Sequence, residues 1–140
     1  MFSFSIITPE GVQYENEIER VTVPTKAGEI TVLTKHAPLV SVLRPGVLTV
    51  KHEDGTKLIM SVSGGLIEVR ASGRVVILAD TAERAADIDL ERAEAARKRA
   101  EEFMAQKETM RDTEHAELLA SLQKELARIK AAELYRGSRH

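Results

Sequence analysis

Residues 74–93 read Arg74-Val75-Val76-Ile77-Leu78-Ala79-Asp80-Thr81-Ala82-Glu83-Arg84-Ala85-Ala86-Asp87-Ile88-Asp89-Leu90-Glu91-Arg92-Ala93. The stretch opens with β-branched and aliphatic residues that suit a pleated surface. It closes with aspartates able to cap a helix, followed by good helix formers. The chain therefore changes from strand to helix near Ala85-Ala86-Asp87. Composition agrees on both sides of that point. All 12 valines lie between Val12 and Val76, all four prolines before residue 46, and seven of the eight glycines before residue 74. Neither Gly nor Pro occurs from Arg74 to Arg136. Charge follows the same division, with 20 charged residues in 1–87 and 22 in the 53 residues 88–140.

Toward the N-terminus, β-rich runs alternate with turn signals. Phe2–Ile7 ends at Pro9-Glu10-Gly11, and Ile18–Val23 ends at Pro24. Glu29–Leu33 follows Lys26-Ala27-Gly28. Val47–His52 and Lys57–Ser63 flank Glu53-Asp54-Gly55, and Leu66–Arg70 and Arg74–Ala79 flank Ala71-Ser72-Gly73. Many short strands with regular turns predict an antiparallel sandwich or barrel. Phe2, Phe4 and Tyr14 are the aromatic residues there, so its core is expected to be aliphatic.

Toward the C-terminus the period becomes helical. Asp87 or Asp89 caps a first helix whose stripe is Ala93, Ala96, Ala100, Phe103 and Met110. The pattern slips at Arg111-Asp112-Thr113, where Asp112 or Thr113 caps a second helix with a seam of Leu119, Leu122, Leu126 and Ile129. The expected fold is an all-β sandwich over residues 1–86 followed by an antiparallel α-helical hairpin over residues 87–140. An alanine stripe adds little burial, since each CH₂ is worth roughly 0.8 kcal/mol. The hairpin is thus expected to be marginal alone and to rest on the sandwich, on a partner, or on each in turn.

Composition also bounds function. The 140 residues are 43% hydrophobic and 30% charged with a net charge of −2, which argues against nucleic-acid binding. No apolar run approaches the roughly 18–20 residues of a membrane span, and Met1-Phe2-Ser3-Phe4 lacks the basic start of a signal peptide. The expected address is cytosolic or membrane-peripheral. Cysteine is absent. Neither a phosphate loop nor a Gly-x-Ser-x-Gly elbow occurs, and the four histidines are isolated, so neither catalysis nor a metal is expected. One cluster remains. Arg92 and Arg99 share a helix face, and Lys124 and Arg128 are like charges four residues apart that repel unless an anion intervenes. Small Ala93 and Ala96 leave room nearby, and Glu83 and Asp89 can accept hydrogen bonds from a base or ribose. The same spacing also describes a solvated, salt-laced helix surface.

Gly28-Glu29-Ile30-Thr31-Val32-Leu33-Thr34-Lys35-His36-Ala37-Pro38-Leu39-Val40, with Leu43-Arg44-Pro45-Gly46, closely resembles the epsilon subunit of bacterial and chloroplast-type F-type ATP synthases. Ser63-Gly64-Gly65-Leu66-Ile67-Glu68-Val69 and Ile77-Leu78-Ala79-Asp80-Thr81-Ala82-Glu83-Arg84 match the same family in order and spacing. The resemblance implies a ten-stranded sandwich and a two-helix C-terminal domain. It implies a non-catalytic rotor subunit, peripheral to the cytoplasmic face of the membrane, whose partners are the gamma subunit, the c-ring and the alpha/beta catalytic hexamer. Glu29 would face the c-ring and His36 the gamma subunit. The hairpin would permit rotation when folded on the sandwich and hinder ATP hydrolysis when extended.

Ile88-Asp89-Leu90-Glu91-Arg92-Ala93 resembles the Ile/Leu-Asp-x-x-Arg-Ala motif with which some bacterial members bind ATP, and Glu83 and Arg99 match that site. The resemblance thus implies ATP as a regulatory ligand and no required cofactor. Those members carry second-helix arginines where this chain has Leu122 and Leu126, so Lys124 and Arg128 would have to take their place. In the extended pose Lys124, Arg128, Lys130 and Arg136 would approach acidic surfaces of the catalytic subunits. Two other classes stay open on sequence alone. A free-standing nucleotide sensor would not co-purify with the gamma subunit, and a small hydrolase would turn over substrate unaided.

Overall fold

The computed structural model describes residues 1–106 and 111–138, apart from the Ser138 side chain. Ten strands come first: β1 (Phe2–Thr8), β2 (Gly11–Ile18), β3 (Arg20–Thr25), β4 (Gly28–Leu33), β5 (Leu39–Leu43), β6 (Gly46–Lys51), β7 (Lys57–Val62), β8 (Gly65–Val69), β9 (Val75–Ala79) and β10 (Ala82–Arg84). A single 3₁₀ turn, Ala85–Asp87, leads into α1 (Leu90–Met104), and α2 (Asp112–Ser138) completes the chain. The strands pair in the order β10-β7-β6-β3-β5-β8-β9-β1-β2, with β4 on the other edge of β3. All pairs are antiparallel except β1 with β9. The two layers meet where Thr25 pairs with Leu43.

Period-two alternation explains the core. Phe4 and Ile6, Val21 and Val23, Leu48 and Val50, Ile67 and Val69, and Val75 and Ile77 all turn inward and are buried together. Full burial of such side chains stabilises the fold by about 1.5–3 kcal/mol each. Tyr14 packs half-buried against Phe4, with ring centroids 6.0 Å apart. Gly65 is obligatory at the start of β8: its φ is +132°, and an added Cβ would lie 1.9 Å from the Leu78 carbonyl oxygen.

Three strands escape the sequence pattern. β2 is an edge strand carrying Glu15 and Glu17, so its outward side chains do not show the alternation of a covered strand. β5 follows Pro38 and is held by pairing with β8, and its outer residues Val40 and Val42 stay exposed. β10 is three residues long and owes its form to pairing with Met60, Ser61 and Val62.

Asp89 is the cap of α1, its carboxylate accepting from the Arg92 N–H at 3.2 Å. At α2 the cap position belongs to Arg111, whose carbonyl accepts from His115 N–H, rather than to Asp112 or Thr113. The hairpin is folded against the sandwich. α2 seats on β6, β7 and the 3₁₀ turn, while α1 packs on α2. Of the expected α2 seam Ile129 is buried, while Leu119 and Leu126 are 38% and 44% exposed, and Phe103 of the α1 stripe is 56% exposed. Beside Ile129, the buried residues of α2 are Glu125, Ala127, Ala131 and Ala132. An alanine face lets helix and sheet approach closely, so shape decides this contact rather than the largest side chains. Met110, the last residue of the expected α1 stripe, lies outside the described residues.

Candidate functional site

Where β10, the 3₁₀ turn, α1 and α2 converge, a cavity of about 530 Å³ is lined by Glu83, Asp87, Asp89, Arg92, Ala95, Ala96, Arg99 and Arg128. Each element supplies its part for a local reason. Pairing with β7 fixes Glu83, capping fixes Asp89, and two helical turns separate Arg92 from Arg99 on one face. The i, i+3 pair Ala93 and Ala96 faces inward, Ala93 fully buried, which keeps the wall low beside the arginines.

Arg128 ties this site to the sandwich. Its Nε donates to Glu83 Oε2 at 2.8 Å and Nη2 to Glu83 Oε1 at 3.1 Å, a two-pronged pair across 45 positions of sequence. Nη1 donates to Glu125 Oε2 at 2.8 Å. The Glu83 hydrogen bond is the main cause that raises the Arg128 pKa above its ordinary value. Glu83 is still 37% exposed, so solvent reduces the pair to roughly 1 kcal/mol. Arg92 and Arg99, by contrast, make no ion pair among the described residues.

Of the residues expected to form one site, Glu83, Asp89, Arg92, Arg99 and Arg128 do come together. Ile88 and Ala93 lie behind it, in the small hydrophobic cluster under the hairpin. Lys124 does not line the cavity; four residues before Arg128, it sits about 6 Å back along the α2 axis. Asp87 lines the cavity and Glu125, outside its lining, pairs with Arg128; neither was expected there. Asp87 was legible only as a cap, and the signal for Glu125 was a carboxylate three residues before Arg128 on one helix.

Glu29 and His36 mark opposite ends of β4. Glu29 is exposed beside the Gly28 turn, where it lines a second hollow with Lys26, Arg44 and Lys130. His36 follows Lys35, a non-glycine residue with φ of +65°, and its Nδ1–H donates to the Ala37 carbonyl at 2.7 Å. A further surface was not expected. Ile7, Leu78, Leu66 and Val42 are register partners across β1, β9, β8 and β5 and form one apolar row on the outer face. Val42, Leu66 and Leu78 are 42%, 41% and 48% exposed. An exposed contiguous apolar row of this kind marks an interaction surface.

Comparison with known proteins places these features in a family. Residues 1–85 match the beta-sandwich domain of the ATP synthase delta/epsilon chain, and residues 86–133 its long alpha-helix domain. The chain is 48% identical over 128 residues to an ATP synthase epsilon chain of Desulforamulus reducens, covering 91% of this chain and 94% of that one. It is 39% identical over 132 residues to the epsilon chain of Syntrophomonas wolfei, covering 94% of each. In fold it is similar to a chain of the Euglena gracilis mitochondrial ATP synthase, with a TM-score of 0.76 and 24% identity, covering 99% of this chain and 81% of that one. A sandwich with its hairpin, matched along nearly the whole length, shows that the chain belongs to the ATP synthase epsilon-chain family.

Proposed function

We propose that this chain is a non-catalytic subunit of the central stalk of a proton-translocating F-type ATP synthase. It couples the gamma subunit to the c-ring and restrains ATP hydrolysis through its hairpin. It lies on the cytoplasmic face of the membrane through the complex; no described helix is long and apolar enough to cross a bilayer. The apolar row Ile7–Leu78–Leu66–Val42 is the surface for gamma, the Glu29 end of β4 meets the c-ring loops, and His36 lies at the gamma boundary. ATP occupies the cavity between Glu83, Asp89, Arg92, Arg99 and Arg128. There its phosphates neutralise Arg92 and Arg99, and it holds the hairpin down.

One observation carries the regulatory half. The sandwich core is complete without the hairpin, which rests on a separate cluster of Ala85, Ile88, Ala93, Ile129, Ala131 and Ala132, edged by Val47 and Ile59 of the sheet. Alanines forfeit little when they leave such a contact, so two poses can differ by the few kcal/mol that a ligand can supply. A chain ending at Asp87, reconstituted with the catalytic complex, should stay bound to gamma while ATP hydrolysis rises several-fold over the full chain. Unchanged hydrolysis would remove the hairpin from regulation, and loss of binding would remove the apolar row as the gamma surface. Leu66→Glu on the full chain should weaken the gamma complex by about tenfold or more.

A further inference from the structure

Arg128 is claimed by two carboxylates, and the nucleotide reading uses only one of them. Glu83 anchors the guanidinium to the sandwich. Glu125 comes from the same helix as Arg128, its side chain is 11% exposed, and it is the one buried charged residue among the described residues. A buried carboxylate is costly unless paired, and among the described residues its pairing is the Arg128 Nη1 bond at 2.8 Å. The cavity itself is electrically balanced, with Arg92, Arg99 and Arg128 facing Glu83, Asp87 and Asp89. Counting Glu125 behind Arg128, the charge there becomes net negative. A phosphate chain entering this site meets a guanidinium already satisfied and a carboxylate it must displace or lie beside.

We infer that Glu125 is an internal competitor of the nucleotide phosphates for Arg128, and that it sets the affinity of the cavity. Resting on the nucleotide reading above, this assigns the two carboxylates different tasks. Glu83 keeps the hairpin seated when the cavity is empty, because its pair with Arg128 bridges β10 and α2. Glu125 keeps Nη1 from an anion until the ligand concentration is high enough to replace it. The competition is local and reversible, and involves no bond other than hydrogen bonds. Glu125 acts on the ligand through Arg128 and is therefore a positioning residue.

Glu125→Gln separates charge from orientation, since the amide oxygen still accepts from Nη1 while the negative charge is gone. Calorimetric titration of the full chain with ATP should find binding tighter by about tenfold in E125Q, the worth of one charged hydrogen-bond competitor. Glu125→Asp should return affinity toward that of the parent chain. Adding E125Q to Arg128→Gln should give no gain, because the competitor then has nothing to compete for. Hydrogen-exchange protection of the hairpin without nucleotide should be weakened by Glu83→Gln and little altered by E125Q. If E125Q itself loosens the hairpin, Glu125→Ala, which extends the alanine face, should show the same tighter binding. ATP binding in the parent chain with no gain in either variant overturns the competitor and leaves the nucleotide reading standing. No binding by the parent chain or by any variant overturns both.

Discussion

The sandwich and the hairpin bury their residues by opposite means. Inside the sandwich, Phe4, Ile6, Leu48, Ile67 and Ile77 are large and wholly enclosed, and each strand is pinned by ladders on both sides or by a neighbour at the edge. Under the hairpin the enclosed residues are mainly alanines with Ile88 and Ile129, and a two-pronged ion pair from Arg128 to Glu83 ties it to the body. Leucines that would strengthen the hairpin, Leu119, Leu126 and Leu134, face outward instead. One region encloses large side chains on every strand layer. The other rests on a shallow alanine contact and keeps several leucines exposed, and the proposed regulation depends on that difference.

That contrast can be broken or sharpened by substitution. Phe4→Ala should cost about 3–5 kcal/mol and lower the melting temperature of the whole chain, because it opens a hole in the enclosed core. A small, local effect on hydrogen exchange alone would mean that the sandwich is not the rigid partner. Ile129→Ala should cost less, about 2 kcal/mol, and should appear as faster exchange across α1 and α2 with the strands still protected. Equal loss of protection in the strands would show that body and hairpin unfold as one. Smallest is Asp89→Ala, which removes the α1 cap at a cost of about 1 kcal/mol. Faster exchange confined to the first turn of α1 is expected, and a uniform change along the helix would count against a capping role.

Local pattern made the sandwich legible and the hairpin's seat illegible. Seven of the ten strands follow from alternation between turn residues, because an inward-facing Val or Ile announces itself two positions away. β2, β5 and β10 do not, since each is shaped by its neighbour rather than by its own side chains. The strand-to-helix change at Ala85–Asp87 was equally plain, as Gly and Val stop at Gly73 and Val76 and neither returns before Gly137. The α2 seam was only partly legible: heptad spacing chose Leu119, Leu122, Leu126 and Ile129, while the buried face joins Ile129 to Ala127, Ala131 and Ala132 and leaves Leu119 and Leu126 exposed. At the candidate site, spacing brought out Arg92 and Arg99 because they share one helix. Arg128 was a reasonable companion, yet its neighbour Lys124 served the same argument and lies outside the cavity.

From residue order alone came the two-part architecture, the aliphatic core, a helix cap at Asp87 or Asp89 and the family, since each depends on neighbours within a few positions or on a run of motifs. Tertiary structure decided the rest: which helix lies on the sheet, which α2 face is covered, and that Arg128 bridges Glu83 and Glu125. The reason is that periodicity describes how side chains are distributed around one element, whereas a seat between elements depends on how closely two backbones can approach. Alanine permits that approach while contributing almost no pattern of its own.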